Sequence, residues 1–130
     1  MVGEWSSDRC LERMGVDREE AFFVEEVSSY CVGLSFRDGR SVELLRRWCG
    51  YAGDRVTFPG YHTNKNGSRP GRNIGFVSED PRVSGHRHDQ TVLSILAHRM
   101  GMNKLIERPR FTTYKGMSTE VTVLENFGLG

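Results

Sequence analysis

A chain of 130 residues, with 18 Lys plus Arg against 17 Asp plus Glu, has room for one domain with a single modest core. Its near-zero net charge excludes the long-range field that gathers nucleic acid or anionic lipid unspecifically. Its apolar runs are only a few residues long, far short of the roughly 20 that span a bilayer, and the opening Met1-Val2-Gly3-Glu4-Trp5 has neither the charged nor the apolar region of a secretory leader. The chain therefore reads as a soluble single domain over residues 1–130, and composition names no compartment. Cys10, Cys31 and Cys49 stand far apart without a CxxC pair. They read as buried thiols rather than a zinc site or disulfide framework, and their odd number leans towards a reducing compartment.

In chain order, Ser6-Ser7-Asp8 offers a helix N-cap, Leu11 and Met14 share a face, and Gly15 stands where the helix would stop. After an acidic patch at 17–20, the stretch 27–36 is rich in β-branched and aromatic residues and closes on Asp38-Gly39. That pattern predicts a strand followed by a turn. Ser41 is then the expected cap of a second helix, with Val42, Leu45 and Cys49 on one apolar stripe, Leu44 and Trp48 on an adjacent one, and an end between Gly50 and Gly53. Residues 58–85 carry five Gly and three Pro with little periodicity. A loop of that length in a small domain is functional or disordered, and this one is expected to be the most mobile internal segment. Val92, Leu93, Leu96 and Met100 then recur at the spacing of an amphipathic helix, with Gly101 as its stop. Short strands are expected at 104–106 and 121–124, separated by Pro109.

The loop meets this last helix at His86-Arg87-His88-Asp89-Gln90. Two imidazoles, a guanidinium, a carboxylate and an amide in sequence are hard to justify as packing, because none of them is buried cheaply without partners. At a helix N-terminus the unpaired N–H groups and the positive end of the macrodipole favour a carboxylate or an anionic ligand. Asp89 beside Gln90, with His86, Arg87 and His88 presented from the loop, has the donors and acceptors to recognise hydroxyls or phosphate. The plain alternative is that Asp89 or His88 merely caps the helix. A second alternative is a metal site on His86, His88 and Asp89, although His62 and His98 stand at no standard ligand spacing from them. Lys65, Arg69, Arg72, Arg82 and Arg87 with Tyr61 and Phe76 form a basic, aromatic loop, but no recognised nucleic-acid module accompanies them and none is expected to bind nucleic acid.

The string from His86 to Leu96 resembles the HRHDQS-type motif with its following apolar helix in a group of nucleotide-diphospho-sugar transferase-like proteins of GT-A glycosyltransferase fold. The surrounding order is also similar: Trp5-Ser6-Ser7-Asp8 opening a short helix, a strand ending at Phe36, a helix carrying Trp48, and a variable loop. Ser7 stands where that group often has Lys, and Thr91 replaces its Ser. The resemblance runs from about residue 5 to 102 and implies an α/β, partial GT-A-like domain that moves a sugar from a nucleotide-diphospho-sugar to a glycan or other hydroxyl acceptor. It implies Asp89 as base or sugar-orienting carboxylate, Gln90 as its partner on the sugar, and His86, Arg87 and His88 as contacts to sugar or diphosphate. Tyr114 and Lys115, within Thr113-Tyr114-Lys115-Gly116, would close over the diphosphate, unless they form an exposed turn between edge strands. The divalent metal of such enzymes, Mn or Mg, sits on an Asp-x-Asp of the nucleotide-binding half. No Asp-x-Asp occurs here, so the resemblance implies the acceptor-side half, with no cofactor of its own and no transfer by itself. A non-catalytic carbohydrate-binding or interaction module of the same ancestry is the alternative.

Overall fold

A computed structural model describes residues 1–29, 32–60 and 77–102 in full, and the backbone of three short strands beyond them. The elements run as a 3-10 turn Val2–Trp5, α1 Asp8–Met14, α2 Arg18–Ala21, β1 Val32–Gly33, α3 Gly39–Gly53, α4 His88–Arg99, β2 Arg110–Thr112, β3 Ser118–Glu120 and β4 Thr122–Val123. β1 pairs in parallel with β4, Val32 opposite Thr122, and β2 pairs antiparallel with β3, Arg110 opposite Glu120. No helix among the described residues is long and apolar enough to cross a membrane.

α1 forms as its local code predicts. The Ser7 hydroxyl accepts from the Cys10 N–H at 3.2 Å, and Gly15 takes the left-handed conformation, φ 62°, with its N–H turned back onto the Leu11 and Glu12 carbonyls. α4 completes that cap from a distance, Arg99 donating to the Met14 and Gly15 carbonyls at 2.7 and 2.6 Å. The acidic patch is itself a single helical turn, α2, capped by Asp17. Its Arg18 donates to the Gly3 and Ser6 carbonyls and the Ser6 hydroxyl, and pairs with Asp8. The turn Val2–Trp5 is thereby lashed to α1 and α2.

Three expectations are corrected here. The cap of α3 is Asp38, whose carboxylate accepts from the Arg40 N–H at 3.0 Å, and Ser41 is a buried residue of the first turn. Within 27–36 the described strand is Val32–Gly33 alone, with residues 30 and 31 outside the described set. The N–H of Val27 donates to the Ser94 hydroxyl of α4 instead of to a ladder, which takes the start of that stretch out of any sheet. Cys49 is exposed, whereas Cys10 is buried. α3 turns Ser41, Leu44, Trp48 and Tyr51 inwards at steps of three and four residues, which leaves Cys49 outside the contact.

α4 is buried more completely than an amphipathic helix. Thr91, Val92, Leu93, Ser94, Ile95, Leu96 and Ala97 are all buried, so it is the central element, with α1, α3 and the N-terminal turn around it. Its two polar positions are inexpensive to bury because each hydroxyl has an acceptor, Thr91 to the Trp5 carbonyl at 2.7 Å and Ser94 to the Gln90 carbonyl at 2.7 Å. Leu44, Leu93 and Ile95 with Val2, Leu11, Val24 and Met102 make the core, each large side chain stabilising by roughly 1.5–3 kcal/mol on burial.

Of the long loop, residues 61–76 lie outside the described set, as do 103–109, so its expected mobility and the strand at 104–106 are not among the features described. Its last part is firmly tied: the Val77 carbonyl accepts from the Asp8 N–H at 3.0 Å, and the Ser84 N–H donates to the Glu4 carbonyl at 2.7 Å. Arg82, counted above in a basic patch, is held by Asp80 and Glu19 and lies over the Phe22 ring at 4.3 Å.

Candidate functional site

The chain enters α4 over the N-terminal turn. Trp5 is the anchor: its carbonyl accepts from the Arg87 N–H at 3.0 Å and from the Thr91 hydroxyl, while its ring lies beneath the Arg87 guanidinium at 4.2 Å. Long-range packing thus fixes the position of the motif, and within it the five side chains divide into two groups.

The first three are taken up by the protein. His86 is completely buried, and its Nδ1 accepts from the Ser7 N–H at 3.3 Å. Nε2 must then carry the ring proton, which it donates to the Thr57 carbonyl at 2.8 Å. Burial pushes the pKa of His86 down to about 4, against the opposing effect of the Thr57 carbonyl and with help from nearby His88. Gly60 backs the ring so closely that a Cβ there would stand 3.0 Å from His86 Cδ2. His86 is therefore a neutral strut joining α1, the segment after α3 and the motif. Arg87 donates to a Glu26 carboxylate oxygen at 2.7 Å. The other oxygen of Glu26 is buried without a partner among the described residues, and burial raises the Glu26 pKa although Arg87 opposes it. His88 Nδ1 lies 2.6 Å from the Phe58 carbonyl, its ring edge-on to His86 at 5.0 Å. His88 also has φ 39°, a left-handed conformation that a residue with a Cβ adopts only when its surroundings impose it.

The last two are not so committed. Asp89 and Gln90 are half-exposed in the first turn of α4, and neither side chain has a hydrogen-bond or ion-pair partner among the described residues. Their main chains are held, the Asp89 carbonyl by Trp48 Nε1 at 3.1 Å and the Gln90 N–H by the Arg87 carbonyl at 2.9 Å. The N-cap position is Arg87, with no side-chain capping bond, so neither Asp89 nor His88 performs the capping role that was the plain alternative. The result is a carboxylate and an amide on a hydrogen-bonded backbone, at a helix end where the N-cap side chain makes no capping bond among the described residues.

The structure therefore brings His86, Arg87, His88, Asp89 and Gln90 together at one end of α4, whereas Tyr114 and Lys115 fall in 113–117, outside the described residues. A metal on His86 and His88 is not favoured by this geometry, because both ring nitrogens of His86 already face protein groups. Among the described residues no group of three or more His, Cys, Asp or Glu is placed to hold a metal ion. Sequence reasoning missed Glu26 and Thr57, which stand 61 and 29 residues from their partners and carry no local signal. No family model matches this chain, and neither a curated protein nor a solved structure matches it.

Proposed function

We propose that this chain is the acceptor-side part of an α/β, GT-A-like glycosyltransferase, and that Asp89 and Gln90 act on a sugar carried by a nucleotide diphosphate. The observation that supports this reading is the division within the motif: three side chains brace the backbone, and the carboxylate and amide beside them have no partner among the described residues. In the proposed step Asp89 takes the proton of an acceptor hydroxyl as its oxygen bonds to the anomeric carbon. The bond from that carbon to the diphosphate oxygen breaks, and the nucleotide diphosphate leaves with the electron pair. This role requires the carboxylate within about 3 Å of the hydroxyl. Gln90 donates to and accepts from neighbouring sugar hydroxyls.

His86, Arg87 and His88 become positioning residues in this reading, acting through the backbone that carries Asp89. Tyr114 and Lys115 are assigned to the diphosphate on the resemblance alone. The divalent metal that the resemblance places on an Asp-x-Asp of the nucleotide-binding half is given no ligand here, since no Asp-x-Asp occurs in this chain. No step is routed through it.

The test is an NMR titration of the ¹⁵N-labelled chain with a panel of nucleotide sugars and of free glycans. Shifts centred on Asp89 and Gln90 with a nucleotide sugar, lost in Asp89→Ala, are the expected result, without turnover by these 130 residues. Shifts with glycans alone mark a carbohydrate-binding module and overturn the transferase reading, as does a panel that moves nothing in 86–90.

A further inference from the structure

Asp89 and Arg99 are separated by about 15 Å along α4, at 1.5 Å of rise per residue. At the Arg99 end, the C-terminal parts of α1, α3 and α4 leave an open cleft of about 420 Å³, lined by Arg13, Arg47, Tyr51, Asp54, Leu96 and Arg99 among others. That volume is within the range of small-molecule sites. Three guanidiniums face one carboxylate, and that carboxylate is already occupied.

Asp54 Oδ1 accepts from the Val56 N–H, the Thr57 N–H and the Thr57 hydroxyl, at 2.8, 2.9 and 2.7 Å. Its Oδ2 accepts from Arg13 Nε at 3.2 Å. Burial works against its charge, but these hydrogen bonds outweigh burial and hold its pKa at about 2. Its charge is thus spent on the turn after α3 and on fixing Arg13.

The way the arginines are held is the informative feature. Arg13 is anchored by Nε to Asp54, and Arg47 by Nε to Glu43 at 2.7 Å. Both terminal nitrogens of each have no partner among the described residues. Arg99 is held the opposite way, its terminal nitrogens on the Met14 and Gly15 carbonyls. It contributes charge while closing α1. Two guanidiniums that each bond through Nε at one edge, with no partner on their terminal N–H groups among the described residues, present the fork that phosphate oxygens match two at a time. Beside them Tyr51 and Leu96 form an apolar wall.

We infer that this cleft binds a small phosphate ester with a flat or apolar body, Arg13 and Arg47 taking the phosphate and Tyr51 with Leu96 the body. The site is independent of the proposed transferase chemistry.

Phenyl phosphate is the probe, with inorganic phosphate, benzoate and benzyl alcohol for comparison, followed at low salt by calorimetry and by NMR of the arginine Nε–H and Tyr51 signals. Saturable phenyl phosphate binding, tighter than that of each comparison compound, is expected. Arg13→Ala and Arg47→Ala should each weaken it by about tenfold or more, the size of one lost charge-assisted hydrogen bond. Arg46→Ala removes the same charge from the adjacent position of α3, which does not line the cleft, and should leave affinity unchanged. Equal losses in Arg46→Ala and Arg47→Ala, benzoate binding as tightly as the phosphate, or no saturation at millimolar probe would each overturn the inference. Asp89→Asn should bind phenyl phosphate normally, so failure of the transferase reading and failure of this one are separable.

Discussion

His86 offers a sharp test of whether the motif is braced as described. Its ring is fully buried and neutral, with a pKa of about 4 against an ordinary 6.5. A folded-state pKa below the unfolded one means that, between those values, the unfolded chain takes up a proton that the folded chain refuses. Stability from this group is therefore fully present above pH 6.5 and is lost as pH falls towards 4. At 1.36 kcal/mol per pH unit of difference, the loss is about 3 kcal/mol, a large share of the 5–15 kcal/mol typical of a domain. The matching perturbation is His86→Gln, whose amide can both accept from Ser7 and donate to Thr57 but does not titrate. Urea unfolding of both proteins from pH 7.5 to 4 isolates the residue, because carboxylates common to the two cancel in the difference. At neutral pH the variant should be less stable by about 1–3 kcal/mol, from imperfect replacement of two buried hydrogen bonds. Its disadvantage should shrink as pH falls and reverse between about pH 6 and about pH 4, the lower value for the larger deficit. Parallel stability profiles across that range would refute the buried, neutral assignment and the strut role that depends on it.

Three further outcomes follow from the same geometry. In any form of the protein that turns over a nucleotide sugar, Asp89→Asn should lower the turnover number by about 10²–10⁴, the range for a lost general base. Its melting temperature should barely change, since Asp89 makes no capping bond; a large drop in melting temperature with normal turnover would contradict the assignment. Arg18→Ala removes donors to Gly3 and Ser6 and the pair with Asp8, and should cost about 2–3 kcal/mol in denaturant unfolding; a loss within measurement error would show that the N-terminal turn is held otherwise. Peptide mapping after brief alkylation of the native protein should find Cys49 modified well before Cys10. Cys10 is enclosed, and its thiol pKa is pushed up to about 12, first by burial and then by Asp54.

What the sequence disclosed, and what it concealed, follows the range of the interactions involved. α1 was legible to its caps because Ser7 and Gly15 act on neighbours within four residues. The start of α3 was misplaced because Asp38 followed by Gly39 is written the same way for a turn and for an N-cap: in both, the carboxylate accepts an N–H two residues on. The strand expected over 27–36 was overruled where the Val27 N–H found the Ser94 hydroxyl, 67 residues away. α4 appeared amphipathic because Thr91 and Ser94 count as polar in any periodicity, and only the fold supplies the acceptors that let them be buried. The candidate site shows the same division within five residues. Its location at a helix N-terminus was readable because the motif is contiguous and Val92, Leu93 and Leu96 follow it. The roles inside it were not, because Ser7 and Glu26 lie 79 and 61 residues from the side chains they engage. Imidazoles and a guanidinium attract attention as chemistry, yet they are also the side chains best able to join distant carbonyls and carboxylates inside a small core. Once those contacts are assigned, Asp89 and Gln90 are the members of the motif for which the described fold supplies no use, and the reactive role is most sharply tested there.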